Sequence, residues 1–292
     1  MTMADKYLII NADDFGMCGA ANEAVIDLFK SGRLKSSTIM MPCKFAKEAV
    51  QFSIDNPQYA IGVHLTTTSE WGSYNWGPIT DLPSLKNEKG FMWPECDDFA
   101  KHADLEEARQ EILAQVKLAE SMGMKPSHLD NHMGSLYGIE GGNFKLLPMT
   151  MKLCGELGYA FRMCRKPLKT ECPEGTPYFL YAIACKICDH LGKKNNVIMP
   201  DYLIFPKWND EMRTSYERYR EMFLEDLVKI PAGFSETYVH PSVECDEIKG
   251  ITARWRDRVW EYQIMKDPKT EQHLNAHGIE LISYRDMIEM KK

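Results

Sequence analysis

Short apolar runs alternate with amphipathic segments along nearly the whole chain. Eight of these runs are predicted β-strands, at residues 7–12, 36–41, 61–66, 127–131, 160–164, 201–205, 236–239 and 279–283. Helical spacing of apolar residues marks the segments between them, at 20–31, 45–53, 105–123, 144–158, 211–229 and 252–266. Gly32, Gly123 and Gly158 lie where three of these segments end, as glycine does at helix C-termini. This alternation predicts a parallel sheet covered by helices.

The number of strand–helix units favours a barrel over an open sheet. We therefore predict an α/β fold, a distorted (β/α) TIM-like barrel with seven to eight parallel strands. A length of 292 residues suits such a barrel as one domain over residues 1–292. Two predicted βα loops, 67–103 and 166–197, are unusually long, and long βα loops often build binding surfaces. We expect about half of the aromatic residues of the first loop to stack on sugar rings and the rest to pack it: Trp71, Tyr74, Trp76, Phe91 and Trp93.

Charge and apolar content narrow the choice of partner. The chain has 35 Lys and Arg residues against 42 Asp and Glu, a net charge of −7. Nucleic acid and membranes are not expected partners, because the overall field opposes anionic surfaces and no run is apolar enough to span a bilayer. The basic stretch Arg254, Arg256 and Arg258 is interpreted as one face of a helix, not as a phosphate track. A small or neutral substrate suits this charge best.

The cysteines indicate a reducing compartment. There are nine, an odd number, and their spacing is not that of a disulfide framework. Residues 1–10 have only a short apolar stretch, unlike a signal peptide. We therefore expect a cytoplasmic protein. Cys185 and Cys188 form the one CxxC pair, interpreted as buried thiols at helical spacing, with a redox pair or half of a zinc site as the alternative.

Carboxylates and imidazoles occur at the C-terminal ends of several predicted strands. These are Asp13 and Asp14 after the first strand, His64 in the third, His128, Asp130 and His132 in the fourth, and His240 after the seventh. In a βα barrel these strand ends converge on one mouth, where active sites are built. Together they make the ligand set of a metal site with open positions. A metal there would lower the pKa of bound water and polarise a carbonyl.

Spacing limits which of these residues can share one ion. Adjacent strand residues point to opposite faces, so one of Asp13 and Asp14 could bind the metal while the other serves as a base. His128 and His132 would lie about 13 Å apart along a strand, too far to share an ion. We favour His132, at the strand end, as the ligand, with His128 and Asp130 in the pocket wall or behind the ligands. The structural alternative is that Asp14 caps the next helix.

Four motifs carry a family resemblance. They are INADDFG at residues 10–16, GVHLT at 62–66, HLDNH at 128–132 and VHP at 239–241. In this order they resemble the blocks of the YdjC-like carbohydrate deacetylases, from about residue 7 to residue 284. Residues 161–197 match no block of that family.

The resemblance implies a metal-dependent hydrolase that removes the N-acetyl group from N-acetylated sugars. Short N-acetylglucosamine (chitin) oligosaccharides would be the substrates, and acetate would be released. Asp14, His64 and His132 would hold a divalent cation, Zn²⁺ or Mg²⁺. Asp13 would be the general base and His240 the general acid. The resemblance also implies a homodimer.

Two other functions remain open. A metal-dependent sugar isomerase or epimerase uses similar barrels, but it usually takes metal-binding carboxylates from late strands, where the sequence offers no good candidates. A non-catalytic sugar-binding protein could keep the barrel, yet it would not need Asp13 and His240.

Overall fold

Eight parallel strands form the centre of the structure, a computed structural model that describes residues 6–292. The interpretation of residues 1–10 therefore lies partly outside the described residues. The strands are β1 (Lys6–Phe15), β2 (Ser36–Ile39), β3 (Ala60–Leu65), β4 (His128–Asn131), β5 (Ala160–Phe161), β6 (Tyr202–Leu203), β7 (Gly233–Val239) and β8 (Ile279–Leu281). All eight predicted strands are confirmed, although β5 and β6 are much shorter than predicted.

Helices surround these strands and include all six that the sequence predicts. They are α1 (Gly19–Lys30), α2 (Ala46–Asp55), α3 (Cys96–His102), α4 (Leu105–Ser121), α5 (Leu146–Leu157), α6 (Tyr178–Asn195), α7 (Tyr216–Leu227), α8 (Asp246–Ile251), α9 (Trp255–Lys266), α10 (Pro268–Ala276) and α11 (Tyr284–Met290). Short 3₁₀ turns occur at Pro83–Leu85, His132–Tyr137, Glu140–Gly142, Lys169–Glu171 and Met212–Thr214. Within residues 6–292, no helix combines the length and apolar character that crossing a bilayer requires.

The prediction of a long loop over 166–197 is wrong, because α6 occupies more than half of it. The first half of α6 is apolar at almost every position, so it lacks the amphipathic pattern by which a helix is recognised. Cys185 and Cys188 lie buried on this helix, as their spacing predicted.

The sheet curls into an incomplete barrel. Its strand order is β5-β4-β3-β2-β1-β7-β6, every pair is parallel, and β8 pairs with the first residues of β1. Between β5 and β6 the described chain has no strand pairing, but single backbone bonds bridge the gap, from Phe161 N to Ile198 O (3.0 Å) and from Arg165 N to Asp201 O (3.1 Å). The predicted α/β fold of distorted-barrel type is confirmed.

Strand β1 is the buried axis of this sheet. It pairs with β2, β7 and β8, and every residue from Leu8 to Phe15 is buried. Leu8, Ile10 and Phe15 belong to the main apolar core, where each such side chain contributes about 1.5–3 kcal/mol. The polar residues of the same strand, Asp13 among them, are buried as well, so they need partners from neighbouring strands.

His128 is part of the packing between β4 and α11, and it does not line the cavity described below. Its ring stacks on Tyr284 with centroids 3.6 Å apart, and its Nδ1 lies 2.8 Å from the hydroxyl of Ser127. Gly62 passes so close that a Cβ there would lie 2.3 Å from the His128 carbonyl oxygen. Burial lowers the pKa of His128 to about 3, so the ring is neutral at physiological pH. Of the two places suggested for His128, in the pocket wall or behind the ligands, the first is therefore wrong.

Replacing His128 by Asn should change how stability depends on pH. Between the folded pKa of about 3 and the unfolded value of about 6.5, only the unfolded chain protonates this ring, so the wild type loses up to about 1.4 kcal/mol per pH unit on acidification. His128→Asn should cost about 1–3 kcal/mol at pH 7.5, through the lost stacking, but lack this slope. Urea unfolding at pH 7.5, 6, 5 and 4.5 measures both. Parallel stability curves for the two proteins would contradict the assignment.

Candidate active site

A cavity of about 460 Å³ opens at the C-terminal ends of the strands. All five predicted site residues line it: Asp13, Asp14, His64, His132 and His240. Its other walls come from strand ends, from connections that follow the strands and from α9: Glu70, Asn131, Met133, Gly134, Tyr137, Ile139, Glu140, Arg162, Phe205, Trp208, Tyr238 and Arg258. The strand ends therefore meet at one mouth, as the positions of these residues in the sequence indicate.

A break in the regular strand lets Asp13 and Asp14 face the same cavity. The register of β1 against β2 shifts between Ala12 and Phe15, and Asp14 adopts a left-handed conformation with φ of 62°. Bulges of this kind re-aim side chains beside active sites. The alternation rule therefore does not apply to this pair. Asp14 does not cap α1 either, because that helix begins after Cys18 without a side-chain cap.

Asp14, His64 and His132 form a candidate metal site. Asp14 Oδ1 lies 3.6 Å from His64 Nε2 and 3.5 Å from His132 Nδ1. These separations fit a shared ion, because ligands 2.0–2.2 Å from a tetrahedral zinc lie about 3.3–3.6 Å apart. Asp14 Oδ1 is also buried without a hydrogen-bond partner. One carboxylate and two imidazoles thus fit a divalent cation.

Each imidazole of this set has a carboxylate within hydrogen-bond distance of the ring nitrogen that faces away from Asp14. Nδ1 of His64 lies 2.7 Å from Asp130 Oδ1, and Nε2 of His132 lies 2.9 Å from Glu70 Oε2. Burial alone would lower the pKa of both rings, but Asp130 raises that of His64, and Glu70 with Asp14 raises that of His132 to about 10. Such pairs orient metal-binding histidines. Asp130 therefore lies behind a candidate ligand, one of the two places the sequence suggested for it.

Arg162 binds three buried carboxylates and is the main functional residue that the sequence did not predict. Its Nη1 and Nη2 donate to Asp13 (2.6 and 2.7 Å), Nη2 also lies 2.9 Å from Asp130, and Nε donates to Glu236 (2.6 Å). Burial would raise the pKa of Asp130, but Arg162 and His64 hold it far below its usual range. A second group with metal-ligand geometry, Asp13, His64 and Asp130, thus already has a guanidinium as its cation.

His240 follows β7 and is held by a buried carboxylate of α9. Glu261 accepts hydrogen bonds from the His240 backbone N–H (2.6 Å), Trp208 Nε1 (3.0 Å) and the Tyr219 hydroxyl (2.7 Å). The His240 ring packs against Trp208 and Tyr238. Burial lowers the pKa of His240 although Asp14 acts in the opposite direction, so the imidazole is neutral at pH 7.

The three arginines near α9 do not share a face, so that prediction is wrong. Arg254 immediately precedes the helix, Arg256 stacks on Trp255, and Arg258 lines the cavity with Nη2 2.8 Å from Asp14 Oδ2. Residues two apart on a helix point in different directions. Burial raises the pKa of Asp14, but Arg258, His132 and His240 together outweigh burial and hold this pKa well below its usual value.

The aromatic walls of the cavity differ from those predicted. None of the five aromatic residues named above from 67–103 lines it. Trp76, for example, is buried and donates from Nε1 to the Thr68 carbonyl (2.8 Å). The cavity takes its aromatic rings from later parts of the chain, namely Tyr137, Phe205 and Trp208 in connections that follow strands and Tyr238 near the end of β7. Position after a strand would have been a better guide to them than the density of aromatic residues in a loop.

Fold and pocket together define a parallel α/β barrel protein with a carboxylate–imidazole set at its mouth that could hold a metal ion. The family model described as YdjC-like protein matches residues 7–276. The chain belongs to this family.

Two relatives and one solved structure, among others, are similar to this chain, over nearly its whole length or over part of it. A carbohydrate deacetylase of Enterococcus faecalis is 26% identical over 98% of this chain and 99% of its own. A chitooligosaccharide deacetylase of Yersinia enterocolitica is 35% identical over 44% of this chain and 49% of its own. A crystal structure of a proposed cellobiose-phosphate cleavage protein from E. faecalis superimposes with a TM-score of 0.74 at 26% identity, covering 97% of this chain and 99% of that one.

Removing the Arg162 guanidinium should strongly destabilise the fold. Arg162→Met leaves Asp13, Asp130 and Glu236 without their buried cation, which should cost about 3–5 kcal/mol of unfolding free energy. Arg165→Met is the matched control, because Arg165 forms a partly exposed pair with Asp189 and should cost under about 1 kcal/mol. Guanidinium chloride unfolding at pH 7.5 compares them, and equal losses would refute the central role of Arg162.

Proposed function

We propose that this protein is a metal-dependent carbohydrate deacetylase, a hydrolase that cleaves the N-acetyl amide of a sugar and releases acetate. The observation that carries the proposal is one cavity in which Asp14, His64 and His132 have metal-ligand geometry beside Asp13 and His240. The names of the relatives from E. faecalis and Y. enterocolitica support the same reaction.

In the proposed mechanism each residue has one task. Asp14, His64 and His132 would hold Zn²⁺ or Mg²⁺, which when bound polarises the acetyl carbonyl and acidifies water. Asp13 takes the proton of the attacking water. Oδ1 of Asp13 already accepts from Arg162 and Asn11, whereas Oδ2 accepts only from Arg162 and keeps a second lone pair for this role. The proton that Asp13 removes from the water is returned to the departing amine through His240, which is neutral beforehand. The lowered pKa of His240 makes its protonated ring a stronger acid for this transfer.

We propose a short N-acetylglucosamine oligosaccharide as the substrate. The neutral sugar suits a chain of net charge −7. Tyr137, Phe205, Trp208 and Tyr238 offer aromatic surface for sugar rings. The relative named chitooligosaccharide deacetylase supports the same class.

Metal-loaded protein incubated with diacetylchitobiose should release acetate, and a chelator should abolish the release. Asp13→Asn should keep the metal but lose at least about 100-fold in kcat, because a general base contributes this much. His64→Ala should lose both metal and activity. An enzymatic acetate assay and metal titration measure the two properties separately.

Three results would count against the proposal. Absence of acetate from every N-acetyl sugar tested would exclude deacetylation. A product of unchanged mass, seen by mass spectrometry, would favour the isomerase alternative. Full turnover in Asp13→Asn would exclude Asp13 as the base.

We propose further that residues 1–292 form a single domain in the cytoplasm. The cavity takes residues from Asp13 to Arg258, so the chain between them is needed to build one site. All nine cysteines are free thiols, which suits a reducing compartment.

We also propose a homodimer that forms through α6. This helix exposes an apolar stripe of Phe179, Leu180, Ile183 and Ile187, with Phe179 63% and Ile187 54% exposed. Contiguous apolar surface of this kind marks an interaction site. Antiparallel pairing of two copies about a two-fold axis near Cys185 would bring Ile183 opposite Ile187, and the acidic Glu174 before the helix near the basic Lys194 at its end. This charge complementarity favours a second copy as the occupant.

The double variant Ile183→Glu/Ile187→Glu should convert the dimer to a monomer, because four like charges would face one another across the two-fold axis. Light scattering after size-exclusion chromatography measures the mass. Met290→Glu replaces an exposed apolar residue on α11 and should leave the dimer intact. A monomeric wild type, or a dimeric double variant, would exclude this interface.

A further inference from the structure

Glu70 contacts the candidate metal site although it is not among the predicted ligands. It lies in the connection between β3 and α3, lines the cavity and is partly exposed (18% of the side chain). Its Oε2 is 2.9 Å from Nε2 of His132. The nitrogen of His132 that points toward Asp14 Oδ1, at 3.5 Å, is Nδ1.

The two candidate imidazole ligands are therefore presented in opposite senses. His64 has its Nδ1 against Asp130 and turns Nε2 toward Asp14, whereas His132 has its Nε2 against Glu70 and turns Nδ1 toward Asp14. In a neutral imidazole one nitrogen carries the proton and the other a lone pair. The carboxylate behind each ring therefore decides which nitrogen can bind a metal.

We propose that Glu70 is a positioning residue for the metal. It accepts the Nε2–H of His132, and this fixes the tautomer that offers the Nδ1 lone pair to the ion. This role rests on the metal site of the proposed function. It means that the connection after β3 helps to build that site.

The segment around Glu70 is held in place on both sides. The Ser69 backbone N–H donates to the Trp93 carbonyl (2.9 Å), and the Trp76 backbone N–H donates to the Ser69 hydroxyl (3.1 Å). The Trp76 ring packs edge-on against His132, with centroids 6.0 Å apart. Glu70 and Trp76 thus fix the position and the plane of the His132 ring from one connection.

Glu70 can be tested more cleanly than Asp130. Asp130 is fully buried and shared with Thr38 and Arg162, so its removal would disturb the core. Glu70 is partly exposed, and Glu70→Gln preserves its size and an oxygen that can accept the Nε2–H.

Zn²⁺ affinity, measured by competition with a chromophoric chelator, should fall about 10–100-fold in Glu70→Ala. Glu70→Gln should recover part of this loss. Glu88→Gln, an exposed glutamate of the same connection, is the matched control and should leave the affinity unchanged. In Cd²⁺-loaded wild type, ¹¹³Cd–¹⁵N couplings should identify Nδ1 of His132 and Nε2 of His64 as the bound nitrogens.

Coordination of His132 through Nε2 in the wild type would overturn the proposal, as would unchanged Zn²⁺ affinity in Glu70→Ala. Neither result affects the deacetylase proposal, which the acetate assay tests independently. Absence of Zn²⁺ and Cd²⁺ binding by the wild type would overturn the role of Glu70 together with the metal site.

Discussion

The buried guanidinium of Arg162 is the interaction on which the mouth of the barrel depends. It contacts carboxylates from three strands, Asp13 of β1, Asp130 of β4 and Glu236 of β7, while itself following β5. Three carboxylates could not remain charged in so buried a place without a cation, because desolvation would drive them to neutralise or unfold the site. The planar fork of arginine can donate to all three at once, which the point charge of lysine could not do. One side chain therefore ties together strand ends that the short strand β5 holds only weakly.

Arg162 determines the geometry of the cavity on two sides. Toward β1, Arg162 fixes the orientation of Asp13. Toward β4, it shares Asp130 with Nδ1 of His64, and His64 in turn directs Nε2 at Asp14. The other imidazole of the site, that of His132, is oriented by a different contact, with Glu70 in the connection between β3 and α3. The His64 side of the candidate metal site is thus tied to the core through Asp130 and Arg162, whereas the His132 side depends on how the connection between β3 and α3 folds.

The barrel and most residues of the candidate site could be predicted from the sequence, for a physical reason. Strand–helix alternation predicts the barrel, and in a barrel the residues at strand ends converge, so Asp13, Asp14, His64, His132 and His240 could be placed in one cavity. Arg162 immediately follows a strand too, but β5 is so short that its end could not be recognised. Glu70 gains its role only through a contact with a residue 62 positions away, which no local pattern encodes. The bulge at Asp14 overrides strand alternation, and α6 lacks the periodicity that marks helices.

The charge balance at the mouth indicates what the cavity can accept. Asp13, Asp130 and Glu236 have Arg162 as their cation, and burial raises the pKa of Glu236 to about 7, so this carboxyl is partly protonated near neutrality. Asp14 and Glu70 lie on the other side, with Arg258 2.8 Å from one oxygen of Asp14 and the second oxygen buried without a hydrogen-bond partner. The excess of carboxylate over guanidinium charge favours a divalent cation over an anionic ligand at this point. With that cation in place the local charge would be close to balanced, which suits a neutral amide more than a charged substrate.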